Sequence, residues 1–303
     1  MHVVTQAQVK EWLPVRLPQA HKGQFGRVLV VAGSRSMCGA GFLCAKSALT
    51  VGAGLVYWAL PASMQPAFAA ALPEVITIPL PETSQGQIDA SAWELLPEIC
   101  TTYKPSLMVV GPGMGPSPLL PTLLQNEALP LVVDADALNA LARQEAWHTT
   151  WPKERPAIFT PHSAEMGRLL GKHVDDTPKA RQEQVSTLAQ LTQGVCILKG
   201  KHTLTAGILQ QSLHITENTT GSVALAKGGS GDVLSGCIAG LWAQLGTAEG
   251  FSTYTAWKAS VSAVYLHGLA GQLAQQRTSI YSVLAQDVIA QLPQAIRHVQ
   301  GEL

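Results

Sequence analysis

The chain is poor in charge. Only 13% of its residues are Asp, Glu, Lys or Arg, and 20 basic side chains balance 20 acidic ones. A neutral chain has no long-range field to gather a phosphate backbone, which argues against a nucleic-acid partner. Cysteine patterning is absent too. Cys38, Cys44, Cys100, Cys196 and Cys237 form no CxxC pair and no Cys/His ligand spacing. An odd count among apolar neighbours reads as buried free thiols in a reducing, cytoplasmic compartment, and argues against a structural zinc. No apolar run reaches about 18 residues, so no membrane span is expected. Met1 to Gln6 has neither a basic nor an apolar leader segment, so no secretory signal is expected. The sequence shows no linker, no fixed-period repeat and no low-complexity tract. With 303 residues and 47% hydrophobic composition, it can bury a large core. A single domain over residues 1–303 is expected, because α/β chains of this size often stay undivided.

What is present is a recurring alternation. Short β-branched runs end in Gly, Asp or Pro, and helical patterns follow. The runs are 28–32, 55–60, 75–78, 107–110, 131–133, 157–159 and 195–198. Most are continuously apolar, which suits strands covered on both faces of a parallel sheet. Helical patterns occupy 40–50, 90–100, 117–125, 136–143, 163–170 and 179–192. This alternation predicts a three-layer α/β/α sandwich around a doubly wound, mostly parallel central sheet. Residues 203–206 and 211–216 flank Gly207 and predict a hairpin at one sheet edge. Beyond Asp232, segments 233–244, 252–273 and 282–298 read as a terminal helical layer against one sheet face.

The densest chemical pattern is the stretch 224–236, ALAKGGSGDVLSG. Glycines 228, 229 and 231 leave main-chain N–H groups free to face an anion, and the run from Val233 opens a helix whose positive end they share. Lys227 adds a cation. Asp232 falls in the first helical turn, where simple helix capping is the competing reading. Phosphoryl transfer needs donors for the equatorial oxygens and a base for the attacking hydroxyl. The amides of residues 229–232 supply the first, and Asp232 supplies the second.

Other strand ends carry further candidates. The Val195 strand runs into Lys199, Gly200, Lys201, His202 and Thr203, cations at a carboxyl edge where open sheets bind ligands. An ordinary solvated turn competes with that reading. Thr160-Pro161-His162-Ser163 follows the Ala157 strand. His162 is either a pocket residue or a surface or cap histidine, and Glu165 reads as favouring the helix start. Gly111, Gly113 and Gly115 permit close backbone approach to a ligand, without forming a dinucleotide-binding GxGxxG. Asp134 is placed to orient a cation through water, and Asp136 to cap its own helix through Asn139. The glycine-rich stretch 33–41 is either a ligand turn or tight helix–sheet packing. A parallel sheet would bring all these turns to one edge.

The stretches KGQFGRVLVVAGS, GAGFLCAKSALTVGAGLV, GPGMG, LVVDADALNAL, IFTPHSAEMGRLLG, CILKGKHTL, ALAKGGSGDVLSG and AVYLHGLAG run in order from Lys22 to Gly271. Together they resemble the ADP-dependent NAD(P)H-hydrate dehydratases of the ribokinase-like superfamily. The resemblance implies dehydration of hydrated NADH or NADPH with ADP, or ATP, and Mg²⁺, giving NAD(P)H, AMP and phosphate. It implies Asp232 as base, with Gly229 and Gly231 at the transferring phosphoryl group. It implies nucleotide binding by Lys199 to Thr203, Ser230 and Gly231. It implies a substrate pocket lined by Ala40, Gly113 or Gly115, His162 and Asp232, with no direct protein ligand for the metal. Relatives of this kind also imply a homo-oligomer, a tetramer, and the length suits a dehydratase without the epimerase half. Where many relatives carry Asn, this chain has Ser222. The alternative is a ribokinase-like kinase that phosphorylates a small alcohol, of thiazole or sugar type, and stops there.

Overall fold

The computed structural model describes residues 1–117, 120–126 and 128–302. The strands are β1 (His2–Val3), β2 (Arg27–Val31), β3 (Leu55–Pro61), β4 (Ile76–Leu80), β5 (Leu107–Val110), β6 (Leu131–Val133), β7 (Ala157–Phe159), β8 (Val195–Leu198), β9 (Thr203–Leu209) and β10 (Ser212–Asn218). The helices between β1 and β8 are α1 (Gln6–Trp12), α2 (Cys38–Thr50), α3 (Gln65–Ala71), α4 (Leu96–Tyr103), α5 (Leu120–Asn126), α6 (Asp136–Ala142), α7 (Ser163–Leu170) and α8 (Pro178–Thr192). Three long helices follow β10: α9 (Ser230–Glu249), α10 (Thr253–Arg277) and α11 (Ala285–Gln300).

All strands join one sheet in the order β1-β10-β9-β8-β7-β6-β5-β2-β3-β4. From β4 to β8 every pairing is parallel, and the β8–β9–β10 pairings are antiparallel. The strand order reverses between β2 and β5, which places the carboxyl-edge crevice of a doubly wound sheet there. The continuously apolar strands are buried on both faces, because alternate side chains point to opposite layers. Val28 and Val30 pack with α2, α9, α10 and α11, whereas Leu29 and Val31 pack with the α4–α8 layer. The α/β/α layering and the terminal helical layer agree with the periodicity.

Three details differ from the pattern reading. Gly207 does not form the hairpin turn. It lies within β9, where a β-carbon would stand 3.1 Å from the Trp257 ring of α10. The turn is made by Gln210 and Gln211, both left-handed at φ 48 and 63, as a twisted two-residue hairpin requires. The edge strand is β1, paired with β10; it and α1 carry too short a pattern to be read from sequence. The segment 90–100 begins as a 3-10 helix over Ala90–Leu95, capped by Asp89. Of the helix expected over 117–125, positions 118 and 119 lie outside the described residues.

Candidate active site

The parallel register delivers the carboxyl ends of β2, β5, β6, β7 and β8 to one edge. Gly33 after β2 donates its N–H to the Pro112 carbonyl after β5 at 2.8 Å, which closes the switch point. The loop after β5 is shaped by its glycines, Gly111, Gly113 and Gly115, at φ 119, 61 and 76. A β-carbon at Gly113 would stand 2.7 Å from the Ala40 β-carbon, so this loop lies against the start of α2.

The α9 N-terminus faces the same edge. Gly229 precedes the helix at φ 90. Ser230 N–H donates to the Lys227 carbonyl at 3.3 Å. Among the described residues, no protein group accepts from the N–H of Gly229, Gly231 or Asp232. The bowl expected from residues 229–232 therefore consists of three open amides, with Ser230 committed elsewhere. Neither packing nor conformation demands glycine at 228 or 231. No protein atom lies within 4 Å of a β-carbon at 228, and the nearest to one at 231 is Lys199 Nζ at 3.5 Å. Gly236, by contrast, is fixed by packing, with Ser47 Oγ 2.0 Å from its missing β-carbon. Close approach of a ligand is the physical reason left for glycine at 228 and 231.

Behind the bowl lies a buried charge cluster. Asp134 is 1% exposed; it accepts from Lys199 Nζ at 2.9 Å, Thr160 Oγ1 at 2.7 Å and Ser235 Oγ at 2.6 Å. Burial alone would push its carboxyl up, but the Lys199 ammonium and the two hydroxyls hold it below the usual range. Lys199 is likewise disfavoured by burial, yet Asp134 and Glu165 raise it. Asp134, expected from sequence to orient a cation through water, holds the Lys199 ammonium and Thr160 on Oδ1 and Ser235 on Oδ2. Burial, reinforced by the Asp134 charge and opposed by Lys199, pushes the Asp232 carboxyl up to about 6. That is near the range suited to a general base at neutral pH.

Asp136 does not cap α6. Its Oδ2 accepts the Gly115 N–H at 2.8 Å and so holds the glycine loop. Ala135 between the two aspartates sits at φ 49, ψ −115, a strained conformation that sends their side chains to different partners. His162 is a cap as well as an edge residue: Nδ1 accepts from Ala164 N–H at 3.1 Å and Glu165 N–H at 3.4 Å. Glu165 closes the box by accepting from His162 N–H at 2.8 Å, and it also lies 3.8 Å from Lys199 Nζ.

The turn after β8 splits. Lys199 points inward, Lys201 is exposed, His202 pairs with Glu217 at 2.7 Å, and Thr203 Oγ1 donates to the Gly200 carbonyl at 2.9 Å. Lys227 does not reach the bowl; its ammonium donates to the Tyr281 carbonyl. Ser222 caps a short 3-10 turn and bonds Gln275, so its hydroxyl is engaged within the protein. Pattern reading missed His267, buried on α10 with Nε2 3.3 Å from Ser230 Oγ. Its position within AVYLHGLAG was the one available signal.

A doubly wound sandwich with a glycine-rich helix start and a first-turn carboxylate at the switch-point edge defines the ribokinase-like class. A model of the family described as NAD(P)H-hydrate dehydratase matches residues 28–294, and the chain belongs to that family. It is similar to the bifunctional NAD(P)H-hydrate repair enzyme Nnr of Moorella thermoacetica, at 37% identity over 99% of this chain and 55% of that protein. The Nnr of Thermofilum pendens is 34% identical over 96% of this chain and 53% of its own length. The chain thus spans about half the length of the curated relatives it matches. Its fold is similar to the crystal structure of the ADP/ATP-dependent NAD(P)H-hydrate dehydratase from Bacillus subtilis, co-crystallized with ATP/Mg²⁺. The TM-score is 0.77 at 27% identity, over 98% of each chain.

Proposed function

We propose that this chain dehydrates hydrated NADH or NADPH at the expense of ADP, or ATP, and returns the reduced cofactor. The observation that carries the reading is Asp232, raised to about 6, beside the open amides of Gly229, Gly231 and its own N–H. Asp232 takes the proton of the C6 hydroxyl as that oxygen attacks the terminal phosphoryl group of the nucleotide. The amides receive the charge on the transferring group, so the bond to AMP breaks with ADP as donor. Hydroxide is a poor leaving group and phosphate a good one. The ring-nitrogen lone pair then expels phosphate, and loss of the C5 proton restores the ring double bond.

Ser230, Gly231 and the turn from Lys199 through Gly200, Lys201 and His202 to Thr203 bind the nucleotide. Ala40, Gly113, Gly115 and His162 line the hydrated-ring pocket. The described residues contain no cluster of three His, Cys, Asp or Glu side chains able to hold a metal. Mg²⁺ accompanies the nucleotide phosphates and keeps most of its own water there. Residues 1–303 act as one domain, as a cytoplasmic homo-oligomer. No helix is long and apolar enough to cross a membrane, among the described residues.

The test is incubation with hydrated NADH, Mg²⁺ and ADP or ATP in turn. Return of the reduced-ring absorbance with release of inorganic phosphate is expected. Accumulation of a stable phosphoester would instead identify a small-alcohol kinase.

A further inference from the structure

Asp136 and His162 stand at the starts of α6 and α7, on the carboxyl edge. Farther along the same two helices lies a cavity of about 350 Å³ lined by Asn139, Ala142, Arg143 and Arg168. It belongs to the α4–α8 layer, across the sheet from α9, and so is separate from the amide bowl. On α6, Asp136, Asn139 and Arg143 are spaced i, i+3 and i+7 and share one face. That stripe runs about 10 Å along the helix, from the residue that holds the Gly115 amide to the cavity.

The side chains of the cavity suit an anion. Half-buried Asn139 accepts from Arg168 Nε through Oδ1 at 2.9 Å. That bond fixes the guanidinium and leaves its two terminal nitrogens as a fork that matches a phosphate. Arg143 lines the same space. Among the described residues, Arg35, Arg181 and Arg297 pair with carboxylates, and neither Arg143 nor Arg168 does. A cation at the carboxyl end of α6, as Arg143 is, needs no ligand by itself. Two guanidinium groups on one cavity repel each other, however, and an anion between them relieves that repulsion.

We propose that this cavity takes a phosphate group of the hydrated dinucleotide, with Arg168 and Arg143 as its ligands and Asn139 as the positioning residue for Arg168. The inference rests on the dehydratase reading of the edge. With the hydrated ring at Gly113, Gly115 and His162, the rest of the dinucleotide must run outward from the edge. The length of the α6 stripe is within the reach of an extended dinucleotide. Two kinds of phosphate come into range: the pyrophosphate bridge, common to both cofactors, and the 2′-phosphate, carried only by the NADPH form.

The experiment is steady-state kinetics of the intact protein with hydrated NADH and hydrated NADPH in turn, at saturating ADP and Mg²⁺. Both arginines are exposed, so Arg143→Gln and Arg168→Gln leave the core untouched, and melting temperature serves as the control. Each should raise KM about fivefold, the size of one exposed charged contact, with a smaller change in kcat. A rise for both substrates assigns the pyrophosphate to the cavity, and a rise for hydrated NADPH alone assigns the 2′-phosphate. Wild-type KM should climb with added KCl, and the double variant should lose most of that dependence. Arginines that only pack would not give this loss of salt dependence. Arg168→Lys, which keeps the charge but not the fork, should fall between wild type and Arg168→Gln. Asn139→Ala should raise KM in the same direction by releasing the Arg168 side chain. Unchanged KM for both substrates in the double variant would overturn the proposal while leaving the dehydratase reading intact. A wild-type protein that restores neither hydrated cofactor would sink that reading and this inference with it.

Discussion

Asp232→Asn should abolish turnover while making the fold more stable, and the size of the gain follows from the site. Burial and the Asp134 charge raise the carboxyl from 3.8 to about 6. A displacement of that size means the fold disfavours the ionised side chain by about 3 kcal/mol. An opposing term is the α9 dipole, which favours an acid in the first turn by about 0.3–1 kcal/mol. The burial cost is larger, so asparagine should gain about 2 kcal/mol at neutral pH. The sign with pH is fixed by proton uptake. Between 3.8 and about 6 the folded chain holds a proton that the unfolded chain has released. Wild-type stability therefore falls as pH rises through that window and levels off above it. The advantage of asparagine should be near zero below pH ~4 and reach its plateau above pH ~6. Urea denaturation of both proteins across that range measures it, with ADP binding by calorimetry as the control for an intact pocket. A variant no more stable than wild type at neutral pH, or an advantage that shrinks as pH rises, would refute the buried-base argument.

Two further substitutions separate function from packing. Gly231→Ala places a methyl group 3.5 Å from Lys199 Nζ and nowhere else near protein. Stability should hold or rise by up to about 1 kcal/mol from helix propensity, while calorimetry shows weaker ADP binding. Gly236→Ala should do the reverse, because its methyl would stand 2.1 Å from the Cys44 carbonyl. Forcing α2 from α9 should cost about 1–3 kcal/mol in urea denaturation. Asp136→Ala frees the Gly115 amide and should cost about 1.5 kcal/mol. Steady-state kinetics should show KM for the hydrated cofactor rising several-fold, with kcat changing less.

Much of the layering was legible because buried parallel strands must be apolar on both faces, which leaves the uninterrupted runs at 107–110 and 195–198. The glycine turn was legible because glycines at 228, 229 and 231, clustered at a helix start, have few other uses. Side-chain direction was not. Asp134 and Asp136 are two residues apart, and only the strained φ of Ala135 sends one to Lys199 and the other to Gly115. Lys199 bridges to His162 just past β8 and points inward, while Lys201 lies in the exposed turn beyond it, a difference that composition cannot rank. His267 joins Ser230 across 37 residues through packing of α10 on α9, a contact without a local signature. The Gln210–Gln211 turn was hidden because glutamine carries no left-handed preference for a reader to find.

The buried pair behind the bowl has a cost that simple stability does not explain. Breaking such a pair is destabilising, but replacing it with apolar residues is often neutral, so its retention points to a task. Its geometry supplies one. Asp134 raises the Asp232 carboxyl and Lys199 lowers it. A lone lysine here would depress the base and weaken it as a proton acceptor. A lone aspartate would push the base higher still. Paired, the two leave burial as the leading influence, at about 6. The consequence is directional. The acid limb of kcat/KM reports the base of the free enzyme, and it should move to lower pH in Asp134→Asn and to higher pH in Lys199→Met. Both variants will lose absolute activity, but the position of the limb is independent of its height. Shifts in the same direction, or none, would mean that the pair is only structural and that Asp232 is tuned by its burial alone.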